Sequence, residues 1–257
     1  MRKTLIGLGS LAIALAAATP AFAQGDSSDG IIITGGASVV SDYRFRGVSQ
    51  TGEDAAIQGT IGVAHSSGLY AGAWGSSVDL TASDGARLNT ELDFYAGYSR
   101  EVSPGITADV GLLYYFYPKT GSSNAATDYF EPYASLSGDL GPVNAKVGLA
   151  YAWGGQNALG NDDNIYAYTD LKTAIPSTPF TLKGHVGYTD GSLASTSGAI
   201  SGNYWDWSVG AEASYKMLTF GVSYVDTDVR NAPFSVSPGA NAIGSDSGLV
   251  FSVGASF

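Results

Sequence analysis

The sequence predicts an all-β chain that closes into a transmembrane antiparallel up-and-down β-barrel of about twelve strands. Three observations predict this fold. Segments with apolar residues at every second position recur along the chain, the connections between them alternate between short and long, and the last nine residues form such a segment ending on Phe257. Because successive strand side chains point to opposite faces, each segment presents one apolar face and one small or polar face.

The N-terminal residues predict an export signal. Two basic residues precede an apolar run of about 14 residues, which is shorter than the roughly 20 residues that a membrane-spanning helix needs. Small residues then provide a cleavage site between Ala23 and Gln24. We therefore expect a signal peptide over residues 1–23 and a single barrel domain over residues 24–257. An uncleaved N-terminal membrane anchor is the alternative.

Composition narrows the possible partners and cofactors. The chain has a net charge of −11, and this acidity argues against nucleic-acid binding, which requires basic patches. Cysteine is absent and there are two histidines far apart, so we expect no disulfide, no metal site and no cofactor. The 35 glycines and 16 tyrosines suit a crowded barrel interior and aromatic girdles at the membrane interfaces.

Twelve alternating segments follow one another along the chain. They lie at residues 43–45, 57–63, 70–78, 92–98, 106–116, 130–136, 143–151, 165–171, 180–188, 207–215, 218–224 and 249–257. The sixth contains Pro132, and the eighth carries tyrosines on the face that we expect to be interior. A soluble β-sandwich also alternates. Aromatic residues at the ends of the apolar faces favour membrane girdles instead, as at Tyr114, Tyr151, Tyr188 and Tyr215.

The connections between these segments sort by length. Short ones lie at residues 66–68, 100–105, 138–142, 175–179 and 216–217, and long polar ones at residues 47–54, 79–89, 118–128, 153–163, 190–203 and 226–247. Outer-membrane barrels have short periplasmic turns and long extracellular loops, whereas sandwich loops have no reason to alternate. We therefore expect a barrel in the outer membrane of a Gram-negative bacterium, surrounded by lipid and lipopolysaccharide, with both termini periplasmic.

The final strand resembles the C-terminal signal of bacterial outer-membrane barrels. Its apolar face includes Phe251 and Val253 and ends on the aromatic Phe257. These three residues are the expected signal for the barrel-assembly machinery.

Four stretches carry a further resemblance. They are residues 41–50 (SDYRFRGVSQ), 68–76 (GLYAGAWGS), 91–98 (ELDFYAGY) and 109–118 (DVGLLYYFYP). In these stretches the chain resembles the TorF family of porins, over most of the expected mature sequence. The resemblance implies an outer-membrane barrel that conducts small solutes. The resemblance implies no catalytic residues, no cofactor and no defined substrate.

Charged residues on the polar faces are the candidate lumen site. Asp42, Arg44 and Arg46 share one predicted face of the first strand, and arginine facing lipid would cost about 2–4 kcal/mol near the midplane. They either form a charged ring that filters solutes or pair with carboxylates such as Glu91 and Asp93 to brace the barrel. The other expected pore-lining residues are Asp109, Lys146, Asp170, Lys172, Lys183, His185 and Glu212. This mixed charge predicts weak charge selectivity.

Three functions are compatible with these features. The first is a channel for passive diffusion of small hydrophilic solutes, with a lumen that is narrow or partly plugged because twelve strands fall between filled and open barrels. The second is a structural or adhesive barrel whose long connections at residues 190–203 and 226–247 bind partners. The third and weakest is a hydrolase using His185, for which an extended strand holds Ser192 too far away. We expect the protein not to be an enzyme.

Overall fold

The computed structural model describes residues 30–81, 85, 87–118, 127–199, 201–229 and 244–257. Almost all of these residues are in β-strands or in the connections between them. The strands are β1 Ile31–Val40, β2 Arg44–Phe45, β3 Val48–Ser49, β4 Ala56–His65, β5 Leu69–Thr81, β6 Arg87–Ser103, β7 Ile106–Phe116, β8 Tyr129–Leu140, β9 Val143–Ala152, β10 Asn164–Ala174, β11 Phe180–Gly191, β12 Asn203–Tyr215, β13 Leu218–Thr227 and β14 Gly248–Ser256. The predicted signal cleavage between Ala23 and Gln24 lies outside the described residues.

Twelve of these strands form one closed antiparallel barrel. Each strand from β4 to β14 pairs with its neighbour in sequence, and β1 pairs with both β4 and β14. The two remaining strands, β2 and β3, form a separate hairpin. Closure gives every barrel strand two partners, so no edge is left with unpaired backbone groups. The predicted fold and strand number are confirmed.

The outward face of the barrel is apolar. Side chains such as Ile57, Leu149 and Val209 remain exposed because they alternate with the inward-facing residues of their strands. Such a continuous apolar surface is unfavourable in water and matches a lipid environment. Among the described residues no helix is both long and apolar enough to cross a membrane.

Connections at the two ends of the barrel differ in length. We call the end with residues 66–68, 104–105, 141–142, 175–179 and 216–217 the turn end, and the opposite end the loop end. The termini of the barrel, at Ile31 and Ser256, are at the turn end. The expected long connection at 79–89 was too long, because β5 continues to Thr81 and β6 begins at Arg87.

The predicted position of the first strand was wrong. The first barrel strand is β1, Ile31–Val40, whereas Tyr43 and Phe45 belong to the β2–β3 hairpin region. β1 contains the pair Gly35-Gly36 and lacks clear alternation, so its pattern was weak. The alternation around Tyr43 is real, but it arises from a second small sheet inside the barrel.

The predicted orientation of β5 was also wrong. Tyr70, Trp74 and Val78 face the barrel interior, with Trp74 only 2% exposed and Val78 only 6%. The lipid side of this strand carries Leu69 and small residues such as Ala71. Apolar side chains are stable in the interior at this level because the hairpin packs against them and excludes water.

Candidate functional site

A hairpin lies across the barrel lumen at the loop end. Residues 41–55 connect β1 to β4, and their two short strands, β2 and β3, pair through Arg44 with Ser49 and Phe45 with Val48. The two residues at the tip, Arg46 and Gly47, both have positive φ, 49° and 81°. This is the conformation of a two-residue type I′ turn, the turn that suits the twist of a β-hairpin. We refer to residues 41–55 as the lumen hairpin.

The lumen hairpin is braced by its own side chains. The Asp42 carboxylate accepts hydrogen bonds from the hydroxyls of Ser49 at 2.6 Å and Thr51 at 3.2 Å, and it also pairs with Arg44. The backbone N–H of Gln50 donates to the carbonyl of Tyr43 at 2.7 Å. These bonds hold the hairpin as one folded unit, which explains why Asp42 is buried although it belongs to no barrel strand.

One side of the hairpin packs on strands β5 to β7. The Tyr43 ring lies 5.3 Å from the ring of Trp74, and its hydroxyl donates to Glu91 Oε1 at 3.4 Å. The Phe45 ring meets the Tyr115 ring edge-on, with 5.8 Å between ring centroids. Aromatic contacts of this kind add stabilisation beyond the apolar area that they bury.

The tip of the hairpin reaches the opposite wall. Arg46 Nη2 donates to Glu131 Oε1 on β8 at 2.6 Å, and its guanidinium lies 4.2 Å from the centre of the Tyr166 ring on β10. The Tyr204 hydroxyl on β12 donates to the Arg46 carbonyl at 3.0 Å. Burial alone would lower the pKa of Arg46, but neighbouring groups, with the Glu131 carboxylate as the largest contributor among them, together raise that pKa above its ordinary value.

The hairpin is also joined to other loop-end connections. Arg44 Nη1 donates to the carbonyls of Gly244 at 2.7 Å and Asp246 at 2.8 Å, shortly before β14. On its outer side, Val48 packs with Ala194 and Ala199. Ala194 lies in the short helix α1, Ser192–Thr196, that begins the connection between β11 and β12. The loop end of the lumen is therefore closed by a packed layer.

These contacts correct the predicted environment of the arginines. Arg44 and Arg46 do not lie on a strand face lining an open passage, and neither forms an ion pair with Glu91 or Asp93 among the described residues. Glu131 is the partner of Arg46, and sequence reasoning missed it. The sequence did contain a pattern that places Glu131 inside the barrel, because Glu131 alternates with the outward-facing Phe130 and Pro132 on β8. The proline weakened the pattern of that segment.

Acidic groups directly beside the hairpin are buried and incompletely paired. Asp93 is fully buried, and neither of its carboxylate oxygens has a hydrogen-bond partner among the described residues. Four other buried atoms also lack a hydrogen-bond partner among the described residues: Glu91 Oε2, Asp206 Oδ2, Arg46 Nη1 and Trp74 Nε1. No group of three or more metal-ligating side chains occurs in the described part of the chain. Buried unpaired polar atoms cost about 1–3 kcal/mol each.

The other predicted lumen charges lie on β7 and on β9 to β12, nearer the turn end. Lys183 pairs with Glu212 at 3.1 Å, and Lys172 lies directly across from Lys183 in the β10–β11 register. Lys146 lies opposite Asp170 on the neighbouring strand. Asp109, on β7, accepts a hydrogen bond of 2.6 Å from the Tyr70 hydroxyl. All these positions face the barrel interior.

His185 bridges two carboxylates. Its Nδ1 lies 2.6 Å from Asp170 Oδ1, and its Nε2 lies 3.0 Å from Asp206 Oδ1 and 2.8 Å from the Tyr166 hydroxyl. Both ring nitrogens are therefore engaged, and neither is free to act as a general base. Ser208 lies across from His185 in the β11–β12 register, but no hydrogen bond joins them. The arrangement is that of a bracing network.

The inner wall differs in accessibility between the two ends. At the loop end, Trp74, Asp93, Glu131 and Asp206 are almost fully buried. On the turn side of the hairpin, Thr60 of β4 faces inward yet is exposed to solvent, and the inward-facing Gly62 is half-buried. Inward positions of β1, β13 and β14 in this region are small, including Gly36, Ser38, Gly221, Ser223 and Gly254. The lumen therefore contains a solvent-accessible vestibule at the turn end that stops at the hairpin.

The fold is similar to those of known porins. The NanC porin structure matches with a TM-score of 0.57 and 14% identity, over 88% of this chain and 98% of that chain. A KdgM porin structure matches with a TM-score of 0.54 and 9% identity, over 88% of this chain and 98% of that chain. At these identities the likeness concerns the fold. No curated protein sequence matches with significance.

The predicted porin-like architecture is thus confirmed, whereas the TorF name is not. The family model that matches describes a bacterial protein of unknown function (Gcw_chp), and it covers residues 23–257. That match takes in all twelve barrel strands and the lumen hairpin. The chain therefore belongs to the Gcw_chp family.

Proposed function

We propose that the protein is a porin-like channel for passive diffusion of small hydrophilic solutes across the bacterial outer membrane. The observation that carries this proposal is the solvent-accessible, polar vestibule inside a closed barrel with an apolar outer face. A barrel that serves only as an anchor has no need of a solvent-accessible space inside it. Lipid and lipopolysaccharide are the proposed surroundings, and the barrel-assembly machinery is the proposed insertion partner.

The vestibule has features that suit dissolved solutes of either charge. Lys172 and Lys183 face it from one wall, and Asp170 lies next to them at an inward position. Hydroxyl and glycine positions of the opposite wall, such as Ser38 and Gly254, leave room beside these charges. Because acidic and basic groups are mixed, we expect a ratio of anion to cation permeability close to one.

Planar-bilayer recording of the refolded full-length protein tests this proposal. A second variant, in which residues 43–50 are replaced by a short Gly-Ser link, removes the layer that closes the loop end. We expect discrete conductance steps in the shortened variant and smaller or rarer steps in the wild-type protein. If neither protein produces steps above the bilayer background, the channel function is excluded.

A closed structural or adhesive barrel is the second candidate. The packing of Ala194 and Tyr204 against Val48 of the hairpin favours it, because these three side chains are buried as in a small protein core. In that function the long connections would contact a partner and the lumen would never open. The same recording separates the two candidates, since a barrel whose hairpin never opens would give no conductance steps as the wild-type protein, even if the shortened variant conducts.

A further inference from the structure

We propose that the lumen hairpin is a releasable gate, latched shut by the ion pair between Arg46 and Glu131. This inference rests on the proposed channel function and adds its regulation. Three observations carry it: the position of the hairpin, its construction as a separate unit, and the buried carboxyl groups without hydrogen-bond partners on the wall against which it closes.

The position of the hairpin makes it the barrier between the vestibule and the loop end. Its side chains contact barrel strands around most of the circumference, from Trp74 on β5 through Glu131 on β8 to Tyr204 on β12. At the tip there is no room between Gly47 and the wall, since a Cβ there would overlap the Thr227 side chain on β13. A solute passing through the barrel must therefore displace the hairpin.

Its construction allows it to move as one body. The bonds from Asp42 to Ser49 and Thr51 are internal to the hairpin and survive any displacement from the wall. By contrast, the ion pair of Arg46 with Glu131 is its one salt bridge to a barrel strand among the described residues. Gly52, at the return to β4, has a φ of +62° and open space around it, which suits a pivot.

Buried polar groups in the wall beside the hairpin destabilise the closed state. In the closed state both oxygens of Asp93 and one oxygen of Glu91 are buried without hydrogen-bond partners among the described residues. Opening would let water hydrogen-bond to these carboxyl groups, so their burial favours the open state, whereas the Arg46–Glu131 pair favours the closed state. A plug that never moves would gain stability from apolar residues at the Asp93 position. The opposition of these two effects keeps the closed and open states close in free energy.

Two substitutions that nearly preserve side-chain size on the same wall therefore have opposite effects. Glu131→Gln leaves the buried Arg46 guanidinium without its counter-charge in the closed state, so we expect the open probability in planar bilayers to rise at least about tenfold. Asp93→Leu replaces a buried carboxyl group that has no hydrogen-bond partner among the described residues with an apolar side chain of similar shape, and we expect the open probability to fall several-fold. If both substitutions merely loosened the packed layer, the open probability would rise in both variants. That result would overturn the gate.

A disulfide that ties the hairpin to the barrel wall provides a second test. This test remains valid even if the Glu131 and Asp93 variants fail to fold. The chain has no cysteine, so the double variant Gly47→Cys/Thr227→Cys introduces a single possible disulfide between the tip and β13. We expect the oxidised protein to lose its conductance steps and dithiothreitol to restore them, with Thr227→Cys alone unaffected by oxidant. Persistent steps in the fully oxidised double variant would overturn the gate. Absence of steps in the shortened-hairpin variant would instead overturn the channel function itself.

Discussion

At the scale of single residues, the inner wall is built by tyrosines lying over glycines. The rings of Tyr95 and Tyr133 lie directly across from Gly72 and Gly111 on neighbouring strands. A Cβ at either glycine would overlap the tyrosine ring. The abundance of both residue types thus has one cause: the small residue makes space for the large one, and the ring covers the exposed backbone.

The substitution Gly111→Ala tests this packing. The added methyl group would collide with Tyr133 and with the Ala96 carbonyl, so we expect destabilisation of about 1–3 kcal/mol, as for other overpacked sites. Gly184→Ala is the matched control, because nothing lies within 4 Å of a Cβ at that strand position. Urea unfolding in lipid vesicles, followed by tryptophan fluorescence, measures both. Equal stability of the two variants would contradict the packing role.

A second residue-scale prediction concerns the His185 bridge. His185→Leu leaves Asp170 and Asp206 facing each other without the bridging ring, and the Asp206 side chain is only 3% exposed. We expect a loss of about 3 kcal/mol in the free energy of unfolding, as when one partner of a buried charged pair is removed.

The double variant His185→Leu/Asp206→Asn should recover part of that loss in the same urea experiment. His65→Leu should have little effect, because His65 is at an exposed turn and its side chain bonds only to Ser67 among the described residues. If the double variant were no more stable than the single one, the bridge would not be the source of the effect.

At the scale of the elements, the closing pair of strands is the shortest pair within the barrel. β14 pairs with β1 only over residues 36–40, whereas β4 pairs with β1 along its whole length. Phe257 extends this short pairing by exchanging backbone hydrogen bonds with Gly35 at 2.9 and 3.0 Å. Its ring lies over Gly35, so that glycine is buried although it faces outward.

Phe257→Ala should therefore weaken the barrel in the absence of any assembly machinery. We expect a lower folded fraction after refolding into detergent micelles, measured as the heat-modifiable band on SDS gels. Phe220→Ala is the control, because Phe220 is a comparably exposed aromatic on β13, away from the closing pair. If Phe257→Ala refolds like the control yet fails to assemble in cells, the residue acts only as a signal. In that case the packing over Gly35 contributes little.

The alternating pattern predicted the positions of the strands better than it predicted which face of each strand meets the lipid. It identified eleven of the barrel strands, because lipid outside and polar groups inside impose a period of two. It misplaced the first strand and reversed β5, because the hairpin makes the interior apolar at that level. Periodicity detects a boundary between two environments, and it does not reveal which side is the lipid.

At the scale of the whole molecule, the two ends of the barrel have different roles. The loop end carries the hairpin and stacked aromatic side chains such as Tyr114 and Phe130, whose ring centroids are 4.4 Å apart. The turn end carries the vestibule. In the proposed orientation the loop end faces the exterior of the cell and the vestibule faces the periplasm.

Peptide tags inserted into connections test this orientation. A tag after Asn157, in the connection between β9 and β10, should bind antibody on intact cells. A tag after Ser177, in the turn between β10 and β11, should bind only after the outer membrane is permeabilised. Labelling of the Ser177 tag alone on intact cells would reverse the orientation, and labelling of neither tag in folded protein on cells would argue against an outer-membrane location.

The candidate site was predicted in part. The inward positions of Lys146, Asp170, Lys183 and Glu212 follow from alternation alone, since charge is excluded from the lipid face. The pairing of Arg46 with Glu131 does not follow, because the two residues are 85 positions apart and meet only through barrel closure. The contact of Asp206 with His185 does not follow either, because it depends on the register between β11 and β12.

The sequence by itself determined the barrel, its strand number, the alternation of connection lengths and the residue types of the lumen. These features are local, since each depends on a period of two or on the composition of a few neighbouring residues. Only the tertiary structure decided that residues 41–55 turn into the lumen, which carboxylates pair with which cations, and where solvent stops. Those outcomes depend on groups brought together across a closed sheet, and nothing in the chain near Arg46 specifies the strand that its guanidinium reaches.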